Sequence, residues 1–308
     1  MEPFNILIAD PVDSYIIDKL SALELIRVRY EPNISRGELL QKIANYDVLI
    51  VRSRTVVDSE IIRNAKKLKI IARAGIGLDN IDLEEASKRG IKIVYAPGAS
   101  TNSAAELTLG LIVTAARRID KSMSYFREGK MEKVTGIELF GKTLGIIGYG
   151  RIGSRVAEMA RAFGMNILAY DIIDVSNKVA FVNGKQVSLE ELLANSDIIT
   201  LHVTVDIKSR PILGEKEFSI IKEGSIVVNT SRAVVIEPGP LLEALNSNKV
   251  SCYAADVFWE GKSDVETKIY AHPNAIFTTH IGAQTKESQR RIAEMLVQNI
   301  IKEIGGVR

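Results

Sequence analysis

A glycine-spaced hexapeptide, Gly148-Tyr149-Gly150-Arg151-Ile152-Gly153, sits between an apolar stretch at 143–147 and an amphipathic pattern at 154–163. This order reads as strand, tight turn, helix. In such a turn the glycines allow the sharp reversal, let the backbone approach a pyrophosphate and let helix close on strand, while the helix N-terminus attracts the anion. Gly164 ends the helical pattern, and the next apolar run, 166–170, closes on Asp171. Asp171 lies 18 residues past Gly153 (171 minus 153), where a carboxylate at a strand end can accept hydrogen bonds from an adenosine ribose. The spacing alone is a weak signal. Strand, helix, second strand and terminal acid together predict dinucleotide binding, the alternative being a glycine-rich turn that binds nothing.

The motif begins near residue 148 of 308, so another domain's length of chain precedes it. With 46% apolar residues the chain can fill two cores. Lys plus Arg at 40 against Asp plus Glu at 38 leaves a formal charge of +2, with no basic block to serve as a nucleic-acid arm. The start shows no basic segment followed by an apolar one, and no apolar run reaches the ~18 residues of a membrane span, so a soluble, cytoplasmic protein is expected. The single cysteine, Cys252, reads as a buried, inert thiol. Three histidines and no clustered carboxylates make a metal site unexpected.

Before the motif, strands fit 6–9, 48–51, 70–72 and 91–95. A capping box at Ser35 and Glu38 opens one helix between them, and 58–66 forms another. Pro97-Gly98 breaks this pattern, and Ser103 with Glu106 forms a second capping-box signature ahead of a long helix. After Asp171 come a helix capped by Ser188 and Glu191 and nearly all-apolar strands at 198–203, 226–229, 252–257 and 275–279, as expected of parallel strands covered on both faces. The segment 286–304 places Ile292, Leu296, Ile300 and Ile304 at helical spacing and is expected to return to the first domain. The expected domains are 1–99 with 283–308, and 100–282. The two crossings between them, near 98–103 and 281–284, would form a hinge over a cleft.

Open parallel sheets bind ligands beyond the carboxyl ends of their strands. Arg52 and Arg54 follow one such end, Arg73, Ala74, Gly75 and Ile76 another, and Arg232, Asp256 and His280 follow three in the second half. Cations, bare amides and one histidine at a common address suit a small anion held beside a nicotinamide. Each arginine alone could be a surface ion pair, and His280 a packed core residue. His202 and His272 read as structural.

These residues resemble the D-isomer-specific 2-hydroxyacid dehydrogenases, and within them the phosphoglycerate dehydrogenases. The resemblance rests on Val51-Arg52-Ser53-Arg54-Thr55, on 73–80, on Gly148 to Gly153 with Asp171, on Asn229-Thr230-Ser231-Arg232, on Asp256-Val257-Phe258 and on His280-Ile281-Gly282-Ala283. It implies a Rossmann NAD-binding domain inserted in a flavodoxin-like substrate domain, an α/β fold of two parallel sheets. It implies NAD contacts from Gly148, Gly150, Arg151, Ile152, Gly153, Asp171, Val203, Thr230, Ser231, Asp256, His280, Gly282 and Ala283. It also implies that Arg232 grips the substrate carboxylate and carbonyl, that His280 exchanges the proton, and that the amides of Ala74, Gly75 and Ile76 bind the carboxylate. A homodimer through the nucleotide domains follows from the same resemblance.

The chemistry agrees. Hydride leaving C2 of a hydroxy acid creates a carbonyl, so a base must take the hydroxyl proton while a guanidinium orients the carboxylate. One departure stands out. The acid that normally pairs with this histidine lies five positions past the Asp of Asp-Val-Phe and before a proline, but here the position is Gly261. Glu260 is expected to take the role, with Glu266 as fallback. Thr279 and Ala233 replace a usual proline and glycine. With the sequence ending at Arg308, feedback by serine through a regulatory extension is not expected. The reading is D-3-phosphoglycerate oxidation toward serine, with Arg52 and Arg54 available for the phosphate. A hydroxypyruvate or glyoxylate reductase is the alternative, and a non-catalytic NAD-binding interaction protein is the rival of another class.

Overall fold

The computed structural model describes residues 3–204, 211–261 and 263–306. The chain forms two compact units, Met1–Ser100 with Ala283–Arg308, and Thr101–Gly282. The first carries β1 (Phe4–Ile8), β2 (Ile26–Tyr30), β3 (Val48–Val51), β4 (Ile70–Arg73) and β5 (Lys92–Val94). These pair in parallel in the order β2-β1-β3-β4-β5, a flavodoxin-like sheet with its switch point between β1 and β3. Both faces are covered. Ile6, Ile8, Val48, Ile50 and Ile70 face Ile16 and Leu20 on one helix and Ile292, Leu296 and Ile300 on the helix Lys286–Gly306. The alternate residues Leu7, Leu49, Val51 and Ile71 face Leu39, Ile61 and Ile62. Period-two alternation with apolar residues on both sides is why these strands read as continuous apolar runs.

The second unit carries β6 (Thr143–Ile147), β7 (Asn166–Tyr170), β8 (Lys185–Gln186), β9 (Ile198–Leu201), β10 (Ser225–Asn229), β11 (Val250–Ala255) and β12 (Ala275–Phe277). The seven strands are parallel, in the order β12-β11-β10-β9-β6-β7-β8, the doubly wound order that reverses between β6 and β9. On one face Leu144 and Ile146 meet Leu111 and Ile112 of the helix Thr101–Arg117 and Val156 and Ala160 of the helix Arg151–Ala162. The other face buries Ile199, Leu201 and Val227 against Leu192, Phe218 and Leu241. Among the described residues no helix is long and apolar enough to cross a membrane.

Local chemistry places most element ends. Ser35 and Glu38 form the expected capping box, and Ser188 accepts from the Glu191 amide. Asp58 caps a helix limited to Ser59–Asn64 rather than extending to 66. Ser103 does not cap. It is buried inside the helix Thr101–Arg117, and its hydroxyl donates to the Gly282 carbonyl at 2.7 Å, a tertiary bond that local pattern cannot reveal. The strands β2 and β8 were not expected. β2 is a half-exposed edge strand whose Arg27 and Arg29 interrupt the apolar residues, and β8 is two residues long.

Candidate active site

β6 ends directly in the glycine turn. Gly148 has φ 90°, and a Cβ there would lie 2.7 Å from the His202 carbonyl oxygen, so only glycine fits. A Cβ on Gly153 would run into the Gly148 carbonyl, and its absence lets the helix Arg151–Ala162 close on the strand. At Gly150, the residue before that helix, a Cβ would meet nothing within 4 Å. The helix therefore opens on a bare, accessible backbone with Arg151 exposed at its first position, the cradle a pyrophosphate needs. Asp171 follows β7, and its Oδ2 accepts from the Tyr149 amide at 2.8 Å, which sets the carboxylate beside the turn. Val203 borders the same turn, its Cγ1 3.0 Å from the Gly148 Cβ position. These residues fit a dinucleotide.

Beyond β10, the turn carrying Thr230, Ser231 and Arg232 is organised by Asn229, which has no exposed surface. The Asn229 Oδ1 accepts from the Ser231 amide and hydroxyl at 3.0 and 2.9 Å, and its Nδ2 donates to the Arg232 carbonyl at 2.8 Å. The Arg232 Nη1 donates to the Ser231 carbonyl at 2.7 Å, so the guanidinium lies against its own turn.

Asp256 follows β11 and is 2% exposed. Its Oδ1 accepts from the Thr278 hydroxyl at 2.6 Å and the Ile281 amide at 2.7 Å, and its Oδ2 from the Gly282 amide at 2.7 Å. These bonds bracket His280, which is exposed and held at φ 58°, a left-handed backbone costing a non-glycine residue roughly 1 to 2 kcal/mol. Hydrogen bonds to a charged group contribute about 1.5 to 3 kcal/mol each, so three on one buried carboxylate outweigh that strain. Asp256, which the resemblance assigns to the cofactor, clamps the histidine loop through these three bonds.

Glu260 is exposed one residue before Gly261, whose φ of 69° would strain a glutamate at the usual position. The Tyr270 hydroxyl pins the loop by donating to the Trp259 carbonyl at 2.7 Å. Glu266, the expected fallback, forms a capping box with Ser263 at the start of the helix Asp264–Tyr270. Cys252 is buried, and burial pushes its thiol up to about 12, as an inert thiol requires.

In the first unit the strand ends are more committed than expected. Asp10, fully buried after β1, accepts from the Arg52 amide at 2.6 Å, the Thr55 amide at 3.2 Å, the Thr55 hydroxyl at 2.7 Å and the Arg54 Nε at 2.9 Å. Arg54 also donates from Nη2 to the Ala9 carbonyl. Its charge is thus paired with the Asp10 carboxylate. The Arg52 guanidinium meets only the Pro11 carbonyl, at 3.3 Å, among the described residues. Asn80 donates to the Arg52 and Thr55 carbonyls and closes the turn from the other side. Two of the three expected anion-binding amides are also occupied: Ala74 donates to the Val51 carbonyl and Gly75 to the Arg73 carbonyl, both at 2.8 Å, which leaves that of Ile76. The Arg73 guanidinium fills the space a Cβ on Gly75 would take. The Ala283 carbonyl accepts from Gln289. Asp10 escaped the sequence reading although its signal matched that of Asp171, an acid directly after an apolar strand.

A parallel sheet reversing beside a glycine turn, with an acid held at the end of the next strand, defines a dinucleotide-binding α/β class. The sequence model of the D-isomer specific 2-hydroxyacid dehydrogenase NAD binding domain matches residues 109–282. A hydroxypyruvate reductase of Thermotoga maritima is 42% identical over 99% of this chain and all of its own length. A D-3-phosphoglycerate dehydrogenase of Methanocaldococcus jannaschii is 40% identical over 98% of this chain, which spans 58% of that relative. The crystal structure of D-lactate dehydrogenase from Aquifex aeolicus, complexed with NAD and lactic acid, superposes with a TM-score of 0.86 at 28% identity, over 98% of this chain and 96% of that one. The chain belongs to the D-isomer specific 2-hydroxyacid dehydrogenases, enzymes that use NAD and act on CH-OH groups.

Proposed function

We propose that the protein interconverts D-3-phosphoglycerate and 3-phosphohydroxypyruvate, the oxidation that leads toward serine. The observation that carries this reading is the Arg52 guanidinium at the end of β3, without a carboxylate partner among the described residues and held in place by main-chain bonds to Asp10 and Asn80. Arg73 stands in register with Val51, the residue before Arg52, and so places a second cation on the adjacent strand end. A phosphate dianion suits two cations on adjacent strand ends. NAD would be held along the turn Gly148 to Gly153 and beside Asp171, and would supply the hydride chemistry at C2 of the acid. Arg232 holds the carboxylate. The His280 imidazole takes the hydroxyl proton in oxidation and returns it in reduction, with Glu260 favouring its protonated form.

The second reading is hydroxypyruvate or glyoxylate reduction. The Arg54–Asp10 ion pair favours it, because neutralising one arginine reduces the need for a phosphate. So does the Thermotoga relative of equal length. NADH oxidation with phosphohydroxypyruvate, hydroxypyruvate, glyoxylate and pyruvate separates the two. We expect the highest kcat/KM with phosphohydroxypyruvate; a higher value with hydroxypyruvate selects the second reading, and turnover of none selects a non-catalytic NAD-binding protein. A homodimer is part of the same proposal. Its support is the helix Ile119–Arg127, which buries none of its residues and exposes Met123 and Phe126.

A further inference from the structure

His202 is a ring in the second unit that the proton chemistry leaves idle, and it is hydrogen-bonded on both nitrogens. It follows β9, is partly buried, and touches two parts of the site at once. Its carbonyl oxygen abuts Gly148 of the cofactor turn, and its ring lies against Thr230 at the start of the Arg232 turn.

The hydrogen bonds around the ring have a fixed direction. Thr108 donates its only hydroxyl proton to the Ala104 carbonyl at 2.8 Å, so toward the Thr230 hydroxyl at 2.9 Å it can only accept. Thr230 therefore donates to Thr108. Having used its proton, Thr230 accepts from the His202 Nδ1, at a long 3.5 Å, and Nδ1 must carry a hydrogen. The Nε2, 3.0 Å from the Thr200 hydroxyl, is then the acceptor of a neutral ring. Thr200 has no exposed surface, and among the described residues its hydroxyl has no other partner. Protonating Nε2 would turn the Thr200 proton toward nothing. Desolvation acts the same way and pushes the imidazole down to about 3.

We propose that His202 is a positioning residue: a neutral imidazole, protonated at Nδ1, that ties β9 to Thr230 and Thr108 and so fixes the turn presenting Arg232. The inference rests on Arg232 as the carboxylate-binding group. The chain Ala104–Thr108–Thr230–His202–Thr200 anchors that turn to the helix Thr101–Arg117 and to β9, while Asn229 shapes it from within.

The test has a spectroscopic arm and a kinetic arm. Nitrogen-15 spectra of the histidine rings, with His202 assigned by its absence in His202→Asn, should show a neutral Nδ1–H tautomer from roughly pH 6 to pH 9. Thr108→Val frees the Thr230 proton to donate to Nδ1 and should move the ring toward the Nε2–H tautomer. A wild-type ring that titrates in this range, or that is already Nε2–H, overturns the proposal. In the kinetic arm, His202→Phe should raise KM for the oxo acid by about tenfold, equivalent to 1.4 kcal/mol. The side-chain amide introduced by His202→Asn can still donate to Thr230 and should restore KM. Should His202→Phe fail to fold, Thr108→Val should give the same rise in KM. Lowered thermal stability with an unchanged KM would reduce His202 to a structural residue and overturn the proposal. Arg232→Ala is the control: if it leaves KM unaltered, the reading of Arg232 fails, whereas the tautomer result stands on its own.

Discussion

The turn at 52–55 and the loop at 278–282 are both held by a buried carboxylate at a strand end, and they are held for opposite purposes. Asp10 receives two amides, a hydroxyl and the side chain of Arg54, so it orders its turn and cancels one of the turn's two charges. Asp256 receives two amides and a hydroxyl, and it holds His280 in a backbone that histidine would not choose. The first arrangement sets how much uncompensated positive charge stands at the end of β3. The second presents a reactive side chain by opposing strain. A carboxylate of similar burial is thus a charge regulator in one unit and a mechanical clamp in the other, and the difference lies in whether a guanidinium is among its donors.

Four substitutions probe this contrast. Breaking the clamp should have the largest effect. Asp256→Ala removes three bonds from the histidine loop, and kcat should fall about 100-fold, since misplacing a reacting group by about 1 Å costs that much. Steady-state kinetics with a circular-dichroism control for folding would check it; a loss below about threefold would mean the loop keeps its shape unaided. Arg52→Ala should lower kcat/KM for phosphohydroxypyruvate about 10- to 100-fold more than for hydroxypyruvate, the range of one or two charge-assisted bonds. Equal losses would show that Arg52 does not meet the phosphate.

A smaller effect concerns the cofactor. Asp171→Ala should raise the efficiency of NADP relative to NAD by about tenfold, because the carboxylate beside the turn repels a 2′-phosphate. An unaltered ratio would reduce Asp171 to an anchor for the Tyr149 amide. The smallest effect lies in the acid range. Burial alone would raise the Asp10 carboxyl, but the Arg52 amide, the Thr55 hydroxyl and the Arg54 guanidinium outweigh it and hold the group below its ordinary value. A carboxyl lowered by folding stabilises the fold above its unfolded pKa of about 3.9, and that contribution is lost as the pH falls through the folded value. Asp10→Asn should therefore be less stable than wild type at neutral pH, and thermal unfolding below roughly pH 4 should bring the two closer together. A constant gap would remove the charge from the explanation.

The sequence made the nucleotide half legible because its signals are local. The glycines, the helix that follows and Asp171 fall within one strand-helix-strand unit, and each is dictated by neighbours a few residues away. The two carboxylate devices were opaque for the converse reason. Asp10 meets its donors 42 to 45 residues along the chain, and Asp256 reaches across 22 to 26. An arginine after a strand looks the same in sequence whether it waits for an anion or is already paired, which is how Arg54 was expected to be available. Ser103 showed the same ambiguity: a serine three residues before a glutamate reads as a cap unless a distant carbonyl claims its hydroxyl.

The account stands most directly on His280 as the group that moves the proton from its clamped, left-handed position. Its test is NADH oxidation by His280→Gln with the preferred oxo acid, alongside fluorescence titration of NADH binding. The account predicts a kcat lower by about 10² to 10⁴, the contribution of a positioned acid-base group, with NADH affinity retained. A kcat within about threefold of wild type, with binding intact, would contradict it.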